Sequence, residues 1–321
     1  MENVTKPGSR QRSSLYYLFC GLLRRRCTLL GAEPFLALNC LPVLSLLLLP
    51  ALLGSCRRDA LPDADPADGQ DPPVVVVDSI LTQIRVQADG RPVGRLDLFI
   101  YEADGLRALE KQLAFDGLQE ELNIPTLPGE KLVVGIANSP KRFNSKALER
   151  YDAMEQLSFN FADDDPAQPI LGGFGLTRKE SCEVLLEPLL CGIRLARVSN
   201  TMDGYELLEN PRVRLRDLPN AAEILRQQEF RPAELIDAGA WTPLPYDVGF
   251  FSQDPGITLW CYPNDTPKDV LGVPRPYLEF ECSIRGMTCS FDVPLPPLSR
   301  ACTKEITLTI DGPDTFRYEI Q

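Results

Sequence analysis

After residue 73 the chain is written in short apolar runs with a period of two, and this pattern constrains its fold more than any other feature. Successive side chains of a strand point to opposite faces, so such runs make half-buried strands and cannot lay down a helical stripe. Residues 74–86 (VVVVDSILTQIRV) open the series. Residues 95–101 alternate Leu96, Leu98 and Ile100 against Asp97, Phe99 and Tyr101, and Lys131–Ala137 (KLVVGIA) reads as a buried strand after the Pro128-Gly129 turn. Further strands are expected at 193–198, 212–218, 257–262, 277–284, 287–293, 305–310 and 316–320. Two helices interrupt them. One spans 145–157, where Leu148, Tyr151, Met154 and Leu157 recur on one face behind Ser145 as N-cap. The other is opened by Asn220-Ala221-Ala222-Glu223, which resembles a capping box. The expected class is all-β, with two tandem antiparallel β-sandwich domains over 74–180 and 181–321 and a few short helices.

One hairpin can be resolved residue by residue. YLEFECSI and MTCSFDV flank Arg285-Gly286. If those two residues form the loop, 284 pairs with 287 and Cys282 pairs with Cys289 on the core face. Their Cα atoms then lie about 5.5 Å apart, which permits a disulfide. Cys182 with Cys191 is a second candidate pair, and Cys261 with Cys302 completes an even set.

The chemistry on offer is narrow. Histidine is absent, which removes Ser–His–Asp and Cys–His nucleophile activation and the imidazole ligands of most catalytic zinc sites. The net charge is -12, and before Cys56 the basic residues Lys6, Arg10, Arg12, Arg24, Arg25 and Arg26 outnumber the acidic Glu2 and Glu33, so the remainder is more acidic still. Such a body repels phosphate backbones, and no nucleic-acid partner is expected. Neither a metal nor a cofactor is expected. Asp63, Asp65 and Asp68 lack the glycine and terminal glutamate of a calcium loop, and Asp163-Asp164-Asp165 reads as an exposed loop. Gly172-Gly173-Phe174-Gly175 lacks the strand–glycine–helix setting of a phosphate loop and reads as a turn. The expected protein has no catalytic centre.

Ahead of the body, Arg24-Arg25-Arg26 precedes the uncharged run 35–53, the order of a secretory signal. Leu53-Gly54-Ser55-Cys56 resembles a bacterial lipobox, in which two small residues admit the signal peptidase and the cysteine thiol takes the lipid. Residues 1–55 are therefore read as a leader and Cys56 as the lipidation site. Residues 56–73, rich in Asp, Pro and Ala, are read as an acidic tether that cannot bury enough surface to fold.

Three segments then carry a family resemblance: RLDLFIYEADG (95–105), KLVVGIANSP (131–140) and FDVPLPPLSRACTKEITLTIDGP (291–313). With the lipobox and the acidic spacer, they resemble the fimbrillin-type subunits of the type V pili of Bacteroidia. The resemblance implies two transthyretin-like sandwiches on a lipid-anchored protein of the outer membrane. It also implies partnership with other pilus subunits through β-strand addition, as a stalk, anchor or tip component, and a host or glycan receptor. Polymerising members are trimmed after an arginine beyond the first strand; here Arg85 is the candidate, with Arg91 and Arg95 as competitors. A surface glycan-binding lipoprotein is the alternative, resting on Trp241, Trp260, Tyr262 and Tyr246 as stacking platforms.

Overall fold

The computed structural model describes residues 78–204, 206–250, 252, 254–267 and 274–321; the leader, Cys56, the tether and residues 74–77 lie outside the described residues. The first group of strands is β1 (Ile80–Gln87), β2 (Arg95–Glu102), β3 (Leu109–Asp116), β4 (Glu121–Thr126), β5 (Lys131–Ala137), β6 (Ser158–Asn160), β7 (Leu171–Leu176), β8 (Ser181–Leu185) and β9 (Glu187–Pro188). Two sheets form from it, one ordered β4-β1-β8 and the other β3-β2-β5-β7-β9. Between them Ile84, Val86, Leu96, Leu98, Ile100, Val133 and Val184 make the first core.

β2 and β5 are buried on both faces, which is why KLVVGIA is a continuous apolar run and not an alternating one. Their second face, carrying Phe99, Tyr101, Val134 and Ile136, packs under α1 (Tyr151–Glu155) and under residues of the second half such as Ile224 and Tyr262. The helix is shorter than the expected 145–157. Backbone groups that would have extended it are taken by the segment before β3: Leu109 N–H donates to Glu149 O, and Tyr151 N–H donates to Arg107 O. The apolar stripe survives the shortening, because Leu148, Tyr151 and Met154 are buried in one cluster and Leu157 packs against it.

The second group comprises β10 (Cys191–Asn200), β11 (Glu209–Pro219), β12 (Ala221–Glu223), β13 (Leu235–Ala238), β14 (Thr242–Pro243), β15 (Ile257–Cys261), β16 (Tyr277–Ile284), β17 (Met287–Pro294), β18 (Thr303–Gly312) and β19 (Thr315–Ile320). Sheets β15-β10-β18-β19 and β13-β11-β16-β17, the latter with β14 beside β11, enclose the larger core of Ile193, Leu195, Leu215, Phe280, Phe291, Ile306 and Leu308. The expected capping box is instead strand β12, paired with β6. Asn220 is held by its backbone: its N–H donates to Glu234 O, and its carbonyl accepts from Phe161 N–H. No helix starts there.

The fold is thus two β-sandwiches in series, mostly antiparallel, with two parallel pairs that period-two reading cannot foresee: β1 with β8 and β10 with β18. Both sandwiches follow one plan. The first strand of each lies between an antiparallel neighbour (β4 or β15) and a parallel one (β8 or β18).

Candidate functional site

The site with functional character is the slot that holds β1. Its inward side chains, Thr82, Ile84 and Val86, are buried, while Leu81, Gln83, Arg85 and Gln87 face out. β1 runs antiparallel to β4 from Ile80↔Thr126 to Arg85↔Glu121, and parallel to β8 from Gln83↔Ser181 to Gln87↔Leu185. β4 and β8 are joined only through β1. Removing β1 would therefore strand two rows of backbone donors and acceptors and uncover the apolar floor beneath Ile84 and Val86. Burying those two side chains contributes roughly 1.5–3 kcal/mol each.

Side chains reinforce the register. The Thr82 and Thr126 hydroxyls meet at 2.6 Å inside the sandwich. On the outer face Gln87 Nε2 donates to Glu183 at 2.6 Å, and Arg85 pairs with Glu121 at 3.3 Å. That ion pair is exposed, so its worth is at most about 1 kcal/mol. A surface cleft of about 440 Å³ opens beside Arg85, lined by Gln83, Glu121, Leu176, Arg178, Cys182 and Glu183.

The far rail of the slot depends on glycines. β7 carries Gly172-Gly173-Phe174-Gly175, read from sequence as a turn, and the structure corrects this to a strand. A Cβ on Gly173 would lie 1.9 Å from Leu185 O, and one on Gly175 would lie 2.4 Å from Glu183 O. These glycines let the backbone of β8 lie directly over β7, a close approach that glycine in a strand often marks.

The three arginines considered for trimming occupy different settings. Arg85 is mid-strand in β1 with its side chain exposed. Arg91 is exposed just past the Asp89-Gly90 turn but precedes Pro92, whose nitrogen carries no proton and whose ring crowds the bond. Arg95 is tied to the fully buried Asp97 at 2.7 Å.

The hairpin register is as the sequence predicts, with Ile284↔Met287 and Cys282↔Cys289. Both cysteines face the second core, and burial pushes the Cys282 thiol up to about 12. Cys182 and Cys191 are not neighbours. Cys182 sits on β8 opposite Ile84, with its thiol raised to about 11 by burial, whereas Cys191 begins β10 opposite Cys261. The six described cysteines carry free thiols in the structure.

The four aromatic residues of the glycan-binding alternative occupy different settings, and Tyr246 donates its hydroxyl to Asp254 O at 2.7 Å. Tyr262 is fully buried and its hydroxyl donates to the Asp164 carboxylate at 3.1 Å. Trp241 is covered by the guanidinium groups of Arg212 at 4.5 Å and Arg214 at 4.2 Å. Trp260 is half-buried against the Tyr262 cluster. Asp164 corrects the exposed-loop reading of the Asp163-Asp164-Asp165 run. It is buried and accepts from Ile170 N–H at 2.9 Å.

Sequence reasoning missed Arg300. This buried residue donates to Ile224 O at 2.8 Å, Gly172 O at 2.9 Å and Glu187 O at 2.6 Å, and so bolts the second sandwich to β7 and β9 of the first. Burial lowers its pKa from the ordinary value.

No family model and no curated protein matches the chain. Solved structures do. A candidate cell adhesion protein from Parabacteroides distasonis ATCC 8503 matches with a TM-score of 0.60 at 12% identity, over 76% of this chain and 96% of its own. A fimbrilin from Porphyromonas gingivalis W83 matches with a TM-score of 0.52 at 13% identity, over 75% of this chain and 92% of its own. The tip fimbrial protein Mfa3 from Porphyromonas gingivalis, truncated at its C-terminus, matches with a TM-score of 0.51 at 10% identity, over 76% of this chain and 98% of its own. The described body of this chain therefore has the fold of fimbrial and adhesion proteins of Bacteroidia.

Proposed function

We propose that this chain is a structural and adhesive cell-surface subunit, a fimbrial component or an accessory anchor or tip piece, that joins other subunits by β-strand addition. One observation carries the reading: β1, the first described strand, fills a slot between two strands that do not pair with each other, in a fold shared with a fimbrilin and a tip fimbrial protein. A strand from a partner subunit meets the same ladder and the same pockets that Thr82, Ile84 and Val86 now fill. Arg85 is the trimming site in this reading, since Arg91 is followed by Pro92 and Arg95 is locked to Asp97. Lipidation at Cys56, with the acidic tether behind it, places the chain on the outer membrane. The reading assigns the chain no enzymatic role, and the missing histidines support it.

The test is to take the protein from the surface of its own cells, run it unheated on denaturing gels, and sequence its N-terminus. A heat-sensitive ladder with a start at Val86 is expected of a polymerising subunit. A blocked Cys56 in material that still joins larger assemblies is expected of an anchor. Monomer under every condition refutes the assembly role.

A further inference from the structure

Cys261, Cys191 and Cys302 form one row across three adjacent strands. Cys261 ends β15 directly opposite Cys191. On the other side, Gly192 pairs with Thr303 of β18 and its N–H donates to Cys302 O at 2.9 Å, so Cys302 is the next residue beside Cys191 in the parallel ladder. All three belong to, or pack against, the second core. Cys191 stands in the middle of the row, with Cys261 on one neighbouring strand and Cys302 at the start of the other.

We propose that Cys191 and Cys302 form a disulfide, and that Cys261 remains the unpaired third thiol of the cluster. Three observations select this pair. Cys191 Sγ leans toward the 299–302 turn and lies 3.0 Å from Ser299 O. Cys302 sits in that turn just before β18, where Ala301 has φ +58° and Cys302 N–H donates to Ser299 O at 3.4 Å, so the ladder holds it by its carbonyl alone. Cys302 is also the half-exposed member, lining a small cavity with Trp260 and Ala301, while Cys191 and Cys261 are fully buried.

The chemistry is thiol–disulfide exchange. The Cys302 thiolate attacks a sulfur of a disulfide oxidant, such as oxidised glutathione or a carrier protein's disulfide, and releases one thiolate. Cys191 sulfur then attacks Cys302 Sγ and releases the second. The cysteine pair loses two electrons and two protons, which leave on the two reduced thiols of the oxidant. The neighbouring Cys261 thiol raises the Cys191 thiol well above its ordinary range, and the Cys191 thiol, with burial, does the same for Cys302. Few thiolates therefore form in the folded state, and the bond is made during folding.

That an oxidant meets the chain in the cell rests on the surface location proposed above. The experiment separates the two ideas. The full chain is denatured, reduced and refolded in glutathione redox buffer, then alkylated, digested and mapped by mass spectrometry. A peptide linked through Cys191 and Cys302 is expected, with a denaturant midpoint above that of the reduced protein. The link persists in Cys261→Ser and is lost in Cys302→Ser, with near-ultraviolet circular dichroism confirming that both variants fold. Full alkylation of Cys191, or its linkage to Cys261 or Cys182, overturns the proposal. If the pair links in vitro while protein from cells is fully reduced, the surface location fails and the pairing stands.

Discussion

Asp164 gives the protein a pH signature that can be read from a single side chain. Burial raises its carboxyl to about 6, against the Ile170 N–H and the Tyr262 hydroxyl, which pull it down. Its folded pKa lies above the ordinary carboxylate value, so the folded state holds the proton more tightly between about pH 4 and pH 6. The unfolded state binds fewer protons in that window, and stability falls as pH rises through it, by about 1–3 kcal/mol. Asp164→Asn keeps an acceptor for Ile170 and a partner for Tyr262 without the charge. Denaturant titrations from pH 4 to 7 should show a flatter profile for the variant, and an unchanged slope would rule the account out. Arg300 makes a second prediction at this scale. Arg300→Met removes the guanidinium donor from the carbonyls of Gly172, Glu187 and Ile224 in a buried seam. A loss of about 3 kcal/mol or more is expected in equilibrium unfolding, since each unsatisfied buried group costs about 1–3 kcal/mol.

Among the elements, β7 and β1 carry the sharpest consequences. Gly173→Val in β7 drives a branched side chain into Leu185 O, which a Cβ alone would approach to 1.9 Å. The expected cost is at least about 1–3 kcal/mol, the range for overpacking a close contact, with β8 amides losing hydrogen-exchange protection first. Deleting the chain through Gln87 should yield a body that binds apolar dyes and self-associates, because the slot between β4 and β8 is then empty. A synthetic peptide covering 78–88 should reverse both effects; a deletion variant that stays monomeric and dye-silent would count against strand addition. The elements also show what was legible in the sequence. Strands with a core beneath them, such as β5, β16 and β17, were readable because burial leaves a clean apolar record. The 282–289 register followed from the two-residue loop alone. By contrast, β3 has no fully buried residue and its pattern is diluted. β7 was misread because its glycines answer to a backbone from β8, a contact invisible until the fold is known. The slot was legible only as its central strand, since neither parallel pairing leaves a local mark.

At the scale of the whole molecule, the two sandwiches share a cluster as well as a chain. Phe99, Val134 and Met154 from the first half pack with Ile224, Phe230 and Tyr262 from the second, and Arg300 crosses the same seam. The described body should therefore unfold as one unit. Calorimetry is expected to give a single transition whose calorimetric and van't Hoff enthalpies agree, and two resolved transitions would show that the seam is weak. Arg300→Met should be the variant that separates them.

The parallel pairing of β1 with β8 has one more consequence. Gln87 and its partner Glu183 stand 96 positions apart, so the parallel ladder of β1 cannot close until the chain beyond residue 180 is available. In that interval β1 has its partner β4 on one side and an unpaired backbone edge on the other. Contacts this distant in sequence form slowly, which opens a period in which an escort protein or a neighbouring copy can claim the strand first. Assembly competence would then be a matter of timing during folding as much as of the finished shape.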